Sequence, residues 1–231
     1  MATPKNELEQ STPKGYRLFH IVAMLFVASL IVGNTVAVKI ITLWGLAIPA
    51  GILCFPLSYI INDVLTEVYG YRKAKSVIWW GFFTIAFMSL IYFLASKLEP
   101  APFWTNQAAF DSIFSFIPRI GVASFIAYLV GSFANSIVMS IMKKRTQGKM
   151  LWARTIGSTL VGEGLDSIIF NVIAFYGIFP TADLWVVVGT GFLLKTVYEI
   201  VATPFTYLAV NWIKRKEEED RFDHNVSYNP F

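Results

Sequence analysis

Residues 18–38 read LFHIVAMLFVASLIVGNTVAV, a run without one Asp, Glu, Lys or Arg. A helix rises about 1.5 Å per residue and the hydrocarbon core of a bilayer is about 30 Å thick, so about 20 apolar residues cross it. The stretch is long enough to span and too long for the apolar core of a signal peptide. No small-residue cleavage site follows it, so it reads as a retained helix. Working outward, residues 46–69, 77–98, 120–142, 153–179 and 184–213 repeat the pattern. Most of these runs stop at recognisable signals: Gly70-Tyr71-Arg72-Lys73, Glu99-Pro100-Ala101-Pro102, Lys143-Lys144-Arg145 and Pro180. The reading is an all-α integral membrane protein with six transmembrane helices, flanked by tails at 1–17 and 214–231. The second tail, with Glu217-Glu218-Glu219-Asp220, reads as a solvated extension. Composition agrees: 55% of the chain is hydrophobic, only 15% is charged and mean hydropathy is +0.57, whereas a soluble domain carries about 25% charged residues.

Lys and Arg placement predicts the orientation, because cytoplasmic loops of membrane proteins are enriched in both. One group lies before the first span (Lys5, Lys14, Arg17) and one between spans two and three (Arg72, Lys73, Lys75). A third lies between spans four and five (Lys143, Lys144, Arg145, Lys149, Arg154), and a fourth after span six (Lys214, Arg215, Lys216, Arg221). Together these hold 15 of the 19 basic residues. With six spans they all fall on one side, which places both termini in the cytoplasm. Residues 105–117 carry Phe110, Ile113, Phe114 and Ile117 at helical spacing among polar neighbours, and read as a short amphipathic helix tucked against the outer surface of the bundle.

Several classes are excluded. One cysteine, Cys54, makes no intrachain disulfide, and two remote histidines, His20 and His224, do not make a zinc or iron site. No phosphate-binding G-x-x-x-x-G-K-[ST] loop occurs, so an ATP-driven motor would be a separate subunit. The net charge of +4 is accounted for by orientation and calls for no nucleic-acid partner. No cofactor is called for, and a homo-oligomer is compatible with the sequence.

Charge inside the spans carries the functional signal. Span two holds Asn62, Asp63, Thr66 and Glu67; span five holds Glu163, Asp166 and Asn171; span six holds Lys195 and Glu199. A charge at the centre of a bilayer costs at least about 2.5–3.5 kcal/mol, so such residues mark paired networks or solute pathways. Asp166 is central in its span, and Glu163 is one turn away on the same face. Lys195 and Glu199 are also one turn apart. Glu67, Arg119 and Arg154 sit near span ends and read as groups snorkelling to lipid headgroups. Small-residue stripes mark the packing faces: Ser29, Gly33 and Ala37 in span one, Ala123, Ala127 and Gly131 in span four, Ser158 and Gly162 in span five. The stripe in span four ends at Asn135, and Asn34 lies on the small-residue side of span one. The candidate solute-binding set is therefore Asn62, Asp63, Glu163, Asp166, Lys195 and Glu199, with Asn34 beside them. An excess of carboxylate suits cations, protons or ligands rich in N–H donors. A carboxylate accepts two parallel N–H bonds from a guanine-like edge.

The run Pro56-Leu57-Ser58-Tyr59-Ile60-Ile61-Asn62-Asp63-Val64-Leu65-Thr66-Glu67-Val68-Tyr69-Gly70, followed by Arg72 and Lys73, resembles the signature of the queuosine precursor transporters of the vitamin uptake transporter group. Arg119-Ile120, Ala123-Ser124-Phe125-Ile126-Ala127-Tyr128, Gly157-Ser158-Thr159, Gly162-Glu163-Gly164-Leu165-Asp166-Ser167 and Lys195 extend the resemblance over about Phe19 to Ile213. It implies a multi-pass protein of a bacterial inner membrane importing 7-cyano-7-deazaguanine or 7-aminomethyl-7-deazaguanine, salvaged for transfer RNA modification. The expected bundle is like the six-helix substrate-capture subunits of energy-coupling-factor importers. Such a subunit, with partner ATPases, is the alternative reading. An intramembrane hydrolase using paired carboxylates is a third, although no nucleophile–base pair or metal set is evident.

Overall fold

The computed structural model describes residues 16–37, 39–43, 46–114, 118–177, 180–224 and 226–230. Lys5 and Lys14, the end of the surface segment around Ile117 and the end of the fifth span at 178–179 lie outside them. The side chain of Arg119 is likewise undescribed. Helices α1 (Phe19–Val36), α2 (Phe55–Tyr69), α3 (Tyr71–Lys97), α4 (Gln107–Phe114), α5 (Pro118–Arg145), α6 (Leu151–Phe175) and α7 (Thr181–Glu217) follow in order, with a short hairpin between α1 and α2. Among the described residues, six helical segments are long and apolar enough to cross a membrane.

The interior and surface are inverted relative to a water-soluble protein. Met24, Trp80, Phe83, Phe87, Phe205 and Leu208 are exposed, whereas Asn62, Asp63, Glu67, Asn135, Arg154 and Glu163 are buried. In hydrocarbon this is the stable arrangement, because lipid tails solvate apolar side chains while polar groups find partners only inside. Helix α2 is the central strut. It contacts α1, α3, α5, α6 and α7, and every residue from Ile61 to Tyr69 is buried.

The beginning of the second span differs from the sequence reading. Residues 46–49 form a strand, β2 (Leu46–Pro49), paired antiparallel with β1 (Ile40–Leu43), with Ile41 opposite Ile48 and Ile40 opposite Pro49. A 3-10 turn, Ala50–Leu53, then leads into α2. Ile40, Ile41, Thr42 and Ile48 are β-branched and favour the strand, and Pro49 cannot supply a helical N–H. The third span also begins earlier than predicted. Gly70, at φ 81°, joins α2 directly to α3, and a Cβ there would lie 2.8 Å from Asp223 Oδ1. Arg72, Lys73 and Lys75 consequently belong to the first turns of α3 rather than to a loop.

Two close crossings set the site. A Cβ on Gly131 of α5 would meet Asp166 Cβ, Gly162 O and Tyr59 OH, each at 2.9 Å. One on Gly162 of α6 would meet Asn135 Cβ at 2.7 Å. The absent side chains let α5 and α6 touch backbone to backbone and seat Asp166 against α5 and α2. On α1, Gly33 packs on Cys54 and Phe55, and Ala37 lies against Gly51. Helix α4 packs on α3 through Phe114 and Tyr92, with ring centroids 4.6 Å apart, and Gln107 donates to Ser96 O at 3.4 Å. Helix α7 continues through Pro204, which leaves the carbonyl of Ile200 without its helical donor. At 37 residues, α7 is about 55 Å long by helical rise, so its last turns project beyond a bilayer core. This end, which also carries Arg72, Lys73, Lys143 and Arg154, is the basic end of the bundle.

Candidate functional site

Three helices deliver the mid-depth acids. Glu163 and Asp166 are three apart on α6 and present one face to α7. Lys195 of α7 reaches between them, with Nζ 2.7 Å from Glu163 Oε2 and 2.9 Å from Asp166 Oδ2. Glu163 is buried, with 1% of its side chain accessible, whereas Asp166 and Lys195 each keep 21%. The clasp is therefore open on the Asp166–Lys195 side. Tyr59 of α2 is buried within electrostatic reach of both acids, and the Phe192 ring lies beside Gly164.

One layer nearer the basic end, Asp63 of α2 accepts hydrogen bonds at Oδ1 from Asn135 Nδ2 (2.6 Å) and Ser158 Oγ (3.4 Å). Its Oδ2 has no hydrogen-bond partner. Glu199 of α7 is buried within electrostatic reach of both Asp63 and Glu163, and its Oε1 is also unpartnered. Asn62 is turned away toward α5: its Nδ2 donates to Ser132 O at 3.4 Å and its Oδ1 accepts from Ser136 Oγ at 3.2 Å. Asn34 donates to Leu30 O at 2.8 Å within its own helix. The structure thus gathers Asp63, Glu163, Asp166, Lys195 and Glu199 into one column, makes Asn62 a cross-link between α2 and α5, and leaves Asn34 engaged on α1.

At the basic end the arrangement departs from the sequence reading. Glu67 and Arg154 do not snorkel to headgroups; both side chains are essentially inaccessible. Glu67 Oε1 lies 2.7 Å from Arg154 Nη2, 2.7 Å from Lys214 Nζ and 3.6 Å from Lys143 Nζ. Arg154 also donates to Lys149 O and, at 3.2 Å, to Thr146 Oγ1. Lys214 also turns inward to Glu67, and only 19% of its side chain stays accessible.

The C-terminal tail is also not a free extension. Asp220 Oδ1 lies 2.9 Å from Lys214 and also pairs with Lys143, so the tail closes over the Glu67 centre. Asp223 Oδ2 accepts from Tyr71 N at 2.8 Å and Ser140 Oγ at 2.6 Å, which caps the first turn of α3. Tyr71 OH donates to Tyr228 O, and Trp79 Nε1 to Pro230 O. Glu217 accepts from Tyr69 OH at 3.1 Å and from the backbone N–H groups of Arg17 and Leu18, tying α7 to the entry of α1. Partial burial raises the Asp220 carboxyl, but the hydrogen bonds and charges of Lys143 and Lys214 outweigh it and hold the group below the ordinary carboxylate value.

The sequence reading missed Asn135 and Ser158 as contacts of Asp63, and the three cations as contacts of Glu67. A signal existed for the first pair, since Asn135 ends the small-residue stripe of span four and Ser158 begins that of span five. Among the described residues no group of three or more His, Cys, Asp and Glu is placed to hold a metal ion.

Six apolar spans around a polar, acid-rich interior define a multi-pass membrane protein. The chain belongs to the vitamin uptake transporter family: the family described as "Putative vitamin uptake transporter" matches residues 49–209. A Bacillus subtilis (strain 168) protein named "Probable queuosine precursor transporter" is 31% identical over 186 residues, 80% of this chain and 81% of that protein. A Haemophilus influenzae protein of the same name is 30% identical over 130 residues, 54% of this chain and 51% of that protein. The Escherichia coli (strain K12) "Queuosine precursor transporter" is 27% identical over 126 residues, 54% of each chain. No solved structure matches the chain. All three relatives carry the name of a transporter, and a transporter role follows for this chain.

Proposed function

We propose that the chain imports a queuosine precursor, 7-cyano-7-deazaguanine or 7-aminomethyl-7-deazaguanine, across a bacterial inner membrane with both termini in the cytoplasm. The observation that carries this reading is the clasp: one ammonium, Lys195, serves two carboxylates, Glu163 and Asp166, on a side that remains accessible. The ring N–H and exocyclic amine of a guanine-like edge supply two parallel donors, which is what a carboxylate released by Lys195 requires. Asp166, the more accessible acid, takes that edge. Lys195 then turns to the ring carbonyl while keeping Glu163. Tyr59 and Phe192 offer ring faces for stacking. The names of the relatives point to the same solute class.

The test is salvage in a bacterial host that neither makes queuosine precursors nor has its own importer. Expression of this chain alone, with a precursor in the medium, restores queuosine to transfer RNA. Failure with the protein present in the membrane overturns the proposal. Restoration only when energy-coupling ATPase subunits are co-expressed would instead assign the chain as a capture subunit.

A further inference from the structure

Below the Glu67 centre, the described interior holds four carboxylates, Asp63, Glu163, Asp166 and Glu199, against one cation, Lys195. Lys195 is committed to Glu163 and Asp166. Asp63 and Glu199 are left with no cation, at 0% and 2% exposure. Each also has an oxygen without a hydrogen-bond partner, Asp63 Oδ2 and Glu199 Oε1.

The groups facing this pair do not supply the missing charge. From α5 comes Asn135, and from α6 Ser158, both donating to the other oxygen of Asp63. Glu163 of α6 and Glu67 of α2 add negative charge. Glu67 is held by its own three cations at the basic end. His20 opens α1 and His224 lies in the C-terminal tail.

Two carboxylates on packed helices within electrostatic reach of each other, both out of water and without a counter-ion among the described residues, cannot both be ionised at acceptable cost. Acid pairs in proteins resolve this by sharing one proton between them. A metal ion would need a shell of several oxygens, and no such group is placed among the described residues. A proton needs none, and on either unpartnered oxygen it turns an orphaned acceptor into a donor.

We propose that Asp63 and Glu199 form a proton-binding site, distinct from the Lys195 clasp, that holds one proton in this arrangement of the helices and exchanges it with one side of the membrane at a time. The atom balance is simple: one O–H bond forms on loading and breaks on release, with no redox change. The link to solute movement rests on the transporter reading above; the protonation itself does not. Glu199 is one helical turn from Lys195, so a movement of α7 that frees Lys195 for a solute also shifts the second acid of the pair. That geometry makes the proton the co-transported species.

The site is tested first without any solute. Infrared spectra of the purified protein at neutral pH are recorded for the wild type and for the D63N/E199Q double variant. The difference spectrum is expected to contain a carbonyl-stretch band of an un-ionised carboxyl group, moving on transfer to D2O. A difference containing carboxylate bands alone overturns the proposal. If the double variant does not fold, D63N and E199Q are measured singly. The band must then be lost or shifted in at least one, and its persistence unchanged in both overturns the proposal. Coupling is tested in wild-type proteoliposomes loaded with a pH indicator. Inward flow of radiolabelled 7-cyano-7-deazaguanine is expected to acidify the lumen. Uptake that leaves the lumenal pH unchanged, or that requires Na+ and ignores a pH gradient, overturns proton coupling. Complete lack of uptake counts against the solute assignment, while the infrared result still decides the acid pair.

Discussion

Two buried charge centres lie along the same bundle and are built on opposite principles. At the basic end one acid, Glu67, faces three cations, and the tail adds Asp220 to share Lys143 and Lys214. At mid-depth, four acids face one lysine. The first centre joins α2, α5, α6, α7 and the C-terminal tail, with its charges satisfied by the chain itself. The second leaves Asp63 and Glu199 without a cation among the described residues and two side chains partly accessible, whereas the unpartnered atoms of the first, Glu67 Oε2 and Arg154 Nε, belong to side chains that are ion-paired. A matched buried network fixes geometry, and breaking it strands a charge. An unmatched one is poised to take a donor from outside. Burial and ionisability alone do not separate the two roles; the local ratio of acids to cations does.

The largest effect that would break this contrast is on stability at the matched centre. Glu67→Gln leaves Arg154 and two lysines without their shared anion, and removing one member of a buried ionic set costs about 3–5 kcal/mol. Thermal unfolding in detergent should show a strongly lowered midpoint and poor yield. D63N or E199Q, which delete an acid that has no cation, should unfold at or above the wild-type temperature. Next comes Asp166→Asn, which keeps Lys195 paired with Glu163 and so keeps the fold. Uptake should fall about 10- to 100-fold, because a hydrogen bond to a charged group is worth about 1.5–3 kcal/mol. Full uptake by a well-folded D166N protein removes Asp166 from the site.

The smallest effect belongs to Asp220, whose side chain is 47% exposed. D220N should cost no more than about 1 kcal/mol at neutral pH, as for other solvent-accessible pairs. Its carboxyl is lower in the folded than in the unfolded chain, so its contribution is present above the ordinary carboxylate range. That contribution is lost as the pH falls through the folded value. Unfolding of wild type and D220N should therefore differ at pH 7 and converge in strong acid.

The six apolar spans were legible because each carries its own signal in about 20 consecutive residues. The start of the second was not. Leu46 to Pro49 is apolar enough to extend a helix, and only the pairing of Ile41 with Ile48 and Thr42 with Ala47 shows it to be a strand. In the site, Glu163, Asp166, Lys195 and Glu199 could be grouped from one-turn spacing and depth. The meaning of Glu67 and Arg154 could not, because the contact joins residues 87 apart in sequence and each alone looks like an edge charge. The tail failed for a related reason. A run of Glu and Asp reads as solvated until Lys143, Lys214 and the Tyr69 hydroxyl are known to lie against it.

Equilibrium binding to the purified protein tests the unmatched centre most directly. The solutes to compare are 7-cyano-7-deazaguanine and a deazapurine of the same size with an adenine-type edge, which lacks the paired ring N–H and amine. The guanine-edged compound should bind at least about 10-fold more tightly, and the advantage should vanish in D166N. Equal affinity for the two edges, or an advantage that survives D166N intact, would contradict the assignment of the Asp166–Lys195 clasp to solute recognition.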